Sequence, residues 1–248
     1  MLFSCSELQC AYHLSVNGVL HIGAHELEER GSYIQSGWSP RTWIEANSVL
    51  VGRYSTIEGD ADRIIEATCW SDDGELLDFN IMSNTECSSV LGPELTSAYY
   101  PDVVITRVVR VMSSRVDSLF KGRQMPNFVN IDVQGSELQV LQGFGERLLE
   151  VDYIYCEVNS RDLYRSCSRV EQIDELLRTF GFRRIATRWV PLRHWGDAFY
   201  ARSECVETNV LGLFHLRLTS VWHYVYGFLT ESYRSLVLML KGLGSHFH

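Results

Sequence analysis

The sequence is short of several things at once. Only five prolines occur in 248 residues, and no proline-, glycine- or serine-rich stretch divides the chain. A flexible linker is therefore not expected, and residues 1–204 read as one domain. Seven cysteines stand at positions 5, 10, 69, 87, 156, 167 and 205, with no CxxC pair among them. An odd, scattered set excludes a complete disulfide framework and the usual zinc spacings, and it suits a reducing, cytoplasmic setting. Basic charge is scarce: 22 Lys and Arg against 31 Asp and Glu leave a formal net charge of −9. Such a chain has no general attraction to a nucleic-acid backbone, so no nucleic-acid partner is expected. The opening "MLFSCSELQCAYHLSVNG" lacks the basic-then-apolar order of a signal peptide. No uninterrupted apolar run reaches the ~18 residues that mark a membrane span.

What is present is a regular alternation. With 46% hydrophobic and 21% charged residues the chain can bury a substantial core. "NGVLHIG", "PRTWIEAN", "ADRIIEATCWS", "PNFVNIDV" and "VDYIYCEV" read as strands. Helix-forming stretches such as "AHELEERGSYIQSGW", "SVLVGRYSTIEG" and "GSELQVLQGFGERLLE" fall between them. "VEQIDELLRTFG" carries Ile173, Leu176, Leu177 and Phe180 at the spacing of one helix face. "FRRIATRWV" and "DAFYAR" follow as two closing strands. This pattern predicts an α/β fold: a Rossmann-like, mostly parallel sheet with an antiparallel edge pair and helices on both faces. Residues 205–248 differ. They are apolar and aromatic with few charges, and read as a helical C-terminal tail that packs on the domain or on a second subunit, giving a homodimer. Peripheral contact with a membrane surface is the other reading of the tail.

Candidate functional residues gather at strand ends. In "VLHIGAHELEER" the first strand breaks at Gly23-Ala24, where backbone N–H groups can approach a ligand closely. Glu45 ends the second strand about 20 residues later, where an acid can bond ribose hydroxyls. Asp132 follows the apolar strand "NFVNI", with Gly135 at a turn and Glu137 in the first turn of a helix. Glu157 closes the next strand. In an open α/β sheet the ligand crevice lies at the carboxyl ends of the strands, so Gly23, Glu45, Asp132 and Glu157 converge on one rim. His21 and His25 are spaced by four, but a strand-to-turn break separates them, and no metal site is expected. The polar, turn-rich stretch 82–101 reads as an acceptor-binding loop. Trp70, Tyr99, Tyr100 and Trp195 could stack on a sugar.

"HIGAHELEE", "WIEAN", "VNIDVQGSELQVLQG", "IYCEVN" and "WGDAFYAR", in that order across residues 17–203, resemble the successive motifs of FkbM-type S-adenosylmethionine-dependent methyltransferases. The resemblance implies a class I methyltransferase fold, S-adenosylmethionine as cofactor, and O-methylation of a sugar or other small-molecule hydroxyl. It implies that Gly23, Ala24 and His25 line the amino-acid portion of the cofactor, that Glu45 holds the ribose, and that the stretch from Thr68 to Asp72, with Trp70 and Ser71, borders the adenine. Asp132 and Glu137 would sit near the methyl group and acceptor as candidate bases, with His25 and His194 behind them. Four departures from the family pattern stand out: His21 and His25 replace Asp and Asn, Leu27 replaces a second glycine, and Gln134 replaces a glutamate. They leave open a catalytically inactive binding or scaffold protein on the same fold. A nicotinamide-dependent oxidoreductase is disfavoured by the missing glycines, and a nucleic-acid methyltransferase by the acidic balance.

Overall fold

The computed structural model describes residues 1–244, with side chains described through residue 232 except at 55. In chain order its main elements are α1 (Cys5–Tyr12), β1 (Val19–Ile22), α2 (Arg30–Gln35), β2 (Arg41–Glu45), α3 (Ser48–Tyr54), β3 (Asp62–Glu66), β4 (Thr68–Cys69), β5 (Leu76–Met82) and α4 (Leu95–Tyr99). They continue with β6 (Ile105–Ser114), α5 (Val116–Leu119), β7 (Phe128–Ile131), α6 (Glu137–Phe144), β8 (Tyr153–Asn159), α7 (Val170–Thr179), β9 (Phe182–Trp189), β10 (Trp195–Arg202) and α8 (Val210–Gly244).

Seven strands form the main sheet in the order β3-β2-β1-β7-β8-β10-β9. Every pairing is parallel except those of β10, which runs against both β8 and β9. The fold is the Rossmann-like sheet expected from the alternation. Its central strands β1, β7 and β8 are buried along their whole length, as strands covered on both faces must be. Alternate side chains feed two cores. Leu20, Val129, Ile131 and Ile154 join Val140, Leu141 and Leu177 on one face. Val19, Trp43, Phe128 and Phe199 join Leu8, Tyr33 and Leu216 on the other.

Several boundaries differ from the sequence pattern. The first connecting helix starts only at Arg30, because His25 and Leu27 adopt left-handed φ angles of 41° and 58° and turn the chain. The third strand breaks after Glu66, and its continuation β4 leaves the main sheet to pair with β6. With β5 these form a separate three-stranded sheet. Helix α6 ends at Phe144, where Gly145 takes φ 53°, and a 3-10 segment completes the stretch. The helix α1 has no counterpart in the sequence reading. It is started by a capping box in which Ser4 Oγ accepts from Glu7 N and Glu7 accepts from Ser4 N. The tail forms the single helix α8, which packs against α1. Among the described residues no helix is long and apolar enough to cross a membrane. Residues 245–248 of the tail lie outside the described residues.

Candidate functional site

A cavity of about 500 Å³ opens at the carboxyl ends of β1, β2, β7 and β8. Its formation begins at Gly23, directly after β1. The amides of Gly23 and Ala24 both donate to Ile44 O, so the chain must turn sharply. At Gly23 φ is 83°, and a Cβ there would lie 1.7 Å from Asp132 O. No other residue fits this crossing of two strand ends.

Glu45 then holds the loop. Its Oε2 accepts from His25 N at 2.8 Å and its Oε1 from Asn47 N at 2.7 Å. Each oxygen keeps a lone pair for a ligand hydroxyl. Burial pushes the carboxyl upward in pKa, and the backbone donors partly offset this.

The floor is made of carboxylates. Asp132, Glu157 and Asp197 all line the cavity. Burial and the charge of Asp197 raise the Asp132 pKa to about 6, against the lowering effect of a bond from Gln134. Glu157 is pushed well above the ordinary carboxylate range by burial, then by Asp132, Glu137 and Asp197. Gln134 ties the group together. Its Nε2 donates to Asp132 Oδ1 at 2.6 Å and to Glu157 Oε2 at 3.2 Å, and its Oε1 accepts from Tyr164 OH. The departure from the family glutamate thus places a neutral bridge where a third carboxylate would meet two others.

Several expected residues lie elsewhere. Glu137 is fully buried and does not line the cavity. Its Oε1 accepts from Val133 N and Gly135 N, so it shapes the turn that presents Asp132 and Gln134. Thr68 and Cys69 line the cavity, but Trp70 and Ser71 do not. Beyond Cys69 the chain is drawn off by β6, with Trp70 N donating to Ser114 O. Ala24 is buried in the core behind the loop. His194 sits in the β9–β10 connection beside Ser160 and Tyr99 and outside the cavity lining.

The two histidines of the opening motif have separate partners. His21 is buried between the strands, within hydrogen-bond reach of Tyr33 and Asn130, and its pKa is lowered to about 4 by burial, so it stays neutral. His25 lines the cavity mouth, its ring nitrogens held by Glu28 and Thr85 at 2.6 and 2.8 Å. His25, Glu28 and Glu86 bring possible ligand atoms within 4.8 Å of one another. The Glu28 and Thr85 hydrogen bonds already account for both ring nitrogens.

The stretch 82–101 forms one wall, through Asn84, Thr85, Cys87, Thr96, Tyr99 and Tyr100, and Trp195 lines the cavity beside Tyr99 and Tyr100. Asp197 and Tyr164 were not singled out from sequence. Asp197 lies inside the apolar stretch "GDAFYA", and an acid buried in a closing strand was the available signal. Seven carboxylates line the cavity (Glu28, Glu29, Glu45, Glu86, Asp132, Glu157 and Asp197), and among the described residues no Lys or Arg does. The amino group of Met1 pairs with Glu29 at 2.9 Å. The nearby Arg193 guanidinium lies over the rings of Tyr99 and Tyr100 and pairs with Glu231.

A family model described as the methyltransferase FkbM domain matches residues 20–184. Among solved structures, the chain is similar to TrmK of M. capricolum in complex with S-adenosylhomocysteine, with 8% identity over 82% of this chain and 70% of that one, at a TM-score of 0.46. It is similar to magnesium protoporphyrin IX methyltransferase from Synechocystis PCC 6803 with bound S-adenosylmethionine, at 10% identity, 75% and 71% coverage, and a TM-score of 0.39. A third is the 1,6-didemethyltoxoflavin-N1-methyltransferase of Burkholderia thailandensis, at 12% identity, 77% and 72% coverage, and a TM-score of 0.38. Likeness at this level says nothing of substrate. No curated protein matches the sequence.

Proposed function

The chain belongs to the FkbM methyltransferase family, and from that membership we propose that its strand-end cavity binds S-adenosylmethionine and directs a methyl group to a hydroxyl of a sugar or other small molecule. The residues present fit the cofactor. Gly23 leaves a cradle that a Cβ would fill, Glu45 keeps lone pairs at the end of β2, and the acidic lining suits a cationic sulfonium and ammonium. Gly23 and His25 would hold the amino-acid portion, Glu45 the ribose, and Thr68 and Cys69 the border of the adenine.

When bound, S-adenosylmethionine supplies an activated methyl group for in-line displacement, so the protein's main task is alignment. Asp132 is the base. With its pKa near 6 it is largely ionised at neutral pH and still basic enough to take the hydroxyl proton as the oxygen–methyl bond forms. The carbon–sulfur electron pair would leave with the cofactor's sulfur, so that S-adenosylhomocysteine would be the product. Gln134 holds Asp132 Oδ1, leaving the other oxygen for the acceptor.

One observation carries the choice of acceptor: seven carboxylates line the cavity beside His21 and His25, and among the described residues no Lys or Arg does. A phosphorylated or carboxylated acceptor would be repelled there, and so would a nucleic-acid backbone. Tyr99, Tyr100 and Trp195 offer ring faces to an uncharged sugar.

Calorimetric titration with S-adenosylmethionine and S-adenosylhomocysteine tests the cofactor, with saturable one-to-one binding expected for both. A screen for S-adenosylhomocysteine release then compares neutral glycosides with their phosphorylated counterparts. Turnover confined to the phosphorylated set would overturn the acceptor assignment. Binding to neither cofactor form would overturn the function.

A further inference from the structure

Helix α8 presents two faces of different character. The inner face is fixed to the domain. A Cβ at Gly212 would lie 2.4 Å from Cys10 O, so the helix rests directly on the backbone of α1. Leu216 is buried, Thr219 and Ser220 meet Glu7 and Arg188, and Glu231 pairs with Arg193.

The outer face is apolar and uncovered. Leu211, Phe214, Leu218, Val221, Val225 and Phe228 are 79, 62, 53, 63, 52 and 44% exposed. Their spacing alternates strictly between three and four residues. That is the a/d repeat by which one helix packs knobs into holes on another. At ~100° per residue this seam lies opposite Gly212, Leu216 and Thr219. Trp222, 68% exposed, and Leu229, 60% exposed, widen it on one side.

We propose that α8 pairs with α8 of a second copy of this chain through the Leu211–Phe228 seam, forming a homodimer. The repeat selects a helix as the occupant, because a 3.5-residue period complements a second helix and has no role against a loop or a sheet. A two-fold dimer needs one self-complementary patch, and this seam is one. The area suffices: eight large apolar side chains giving up about 100 Å² each amount to roughly 800 Å² per copy, the share of a standard stable interface. A lipid surface is the less suited occupant. Interfacial helices draw on many Lys and Arg along the polar face, whereas the 35 residues of α8 carry three, Arg217, Arg234 and Lys241, against one acid, Glu231. The net charge of −9 opposes approach to an anionic bilayer.

The test is sedimentation velocity on the full chain at micromolar to tens-of-micromolar concentration, for the wild type and for Leu218→Glu/Val221→Glu. Both substituted residues face away from the domain, so the fold and cofactor binding should persist. Expected is a dimer of the 28.5 kDa chain for the wild type and a monomer for the variant. Hydrogen exchange on the wild type needs no variant: amides over 211–229 should gain protection as concentration rises, while those of β7 should not change. A wild-type monomer throughout this range, a dimer indifferent to both substitutions, or protection independent of concentration would overturn the proposal. So would a monomer that floats with phosphatidylcholine–phosphatidylserine vesicles, which would assign the seam to lipid.

Discussion

Asp197 stands directly opposite Glu157 across the antiparallel pair of β10 and β8. The two are 6 and 7% exposed. Like charges at facing positions are unfavourable on an open sheet and more so when desolvated. Tyr155 OH and Leu2 N donate to Asp197 and Gln134 donates to Glu157, while burial and the neighbouring carboxylates favour the neutral form of Glu157. A cation seated in the cavity beside this pair would favour the charged forms of both.

Stability should therefore fall as pH rises across the neutral range. Asp132 and Glu137 have folded-state pKa values of about 6 and 7, above the ordinary 3.8 and 4.5. A group with a raised folded pKa stabilises fully below its unfolded value, and that contribution is lost as pH climbs through the folded one. The window is thus about pH 4 to 7. Thermal melts between pH 5 and 8 should show a declining Tm, with a shallower decline in Glu137→Gln. An unchanged slope in that variant would remove Glu137 from the titrating set.

Asp132→Asn should retain cofactor binding and lose about 10²- to 10⁴-fold in kcat, the usual contribution of a positioned base. In the wild type kcat should rise through about pH 6, as Asp132 ionises. That limb should vanish in the variant. Retention of the limb would assign the base elsewhere, with Glu157 the next carboxylate.

Gly23→Ala should be among the most damaging single substitutions. The left-handed φ of 83° costs an alanine about 1–2 kcal/mol, and the approach of its Cβ to Asp132 O at 1.7 Å forces β1 and β7 apart. We expect a loss of several kcal/mol in chemical denaturation, with no cofactor binding at temperatures where the variant stays folded. A near-native melt would show that the strand ends can separate freely.

The sheet and the rim of the site were legible because both rest on local pattern. Apolar runs such as "VLHI" and "FVNI" fix the strands, and the residues that end them, Gly23, Glu45 and Asp132, fall at the crevice whatever the details of packing. What could not be read depends on the course of turns and on strand pairings that the residue types alone do not specify. Glu137 looks like a rim acid until two backbone amides are found pointing at its Oε1. Trp70 is carried away by pairing with β6, more than 40 residues on. Leu27 replaces a glycine yet keeps a left-handed φ, and its burial against the core sets hydrophobic stabilisation against that strain.

Gln134→Glu, which restores the family residue, separates two meanings of that departure. Gln134 joins Asp132 and Glu157 through a single amide nitrogen. A glutamate there would lose both donated bonds and set a third carboxylate against two, leaving Tyr164 OH as its donor. The variant should be less stable, by about 1–3 kcal/mol, and the deficit should widen from pH 5 to pH 8 as the added group ionises. The pKa of Asp132 should rise, moving the acidic limb of kcat upward in pH. If instead the substitution leaves stability unchanged and raises turnover at every pH, the neutral bridge is an impairment of the reaction rather than a support for its base.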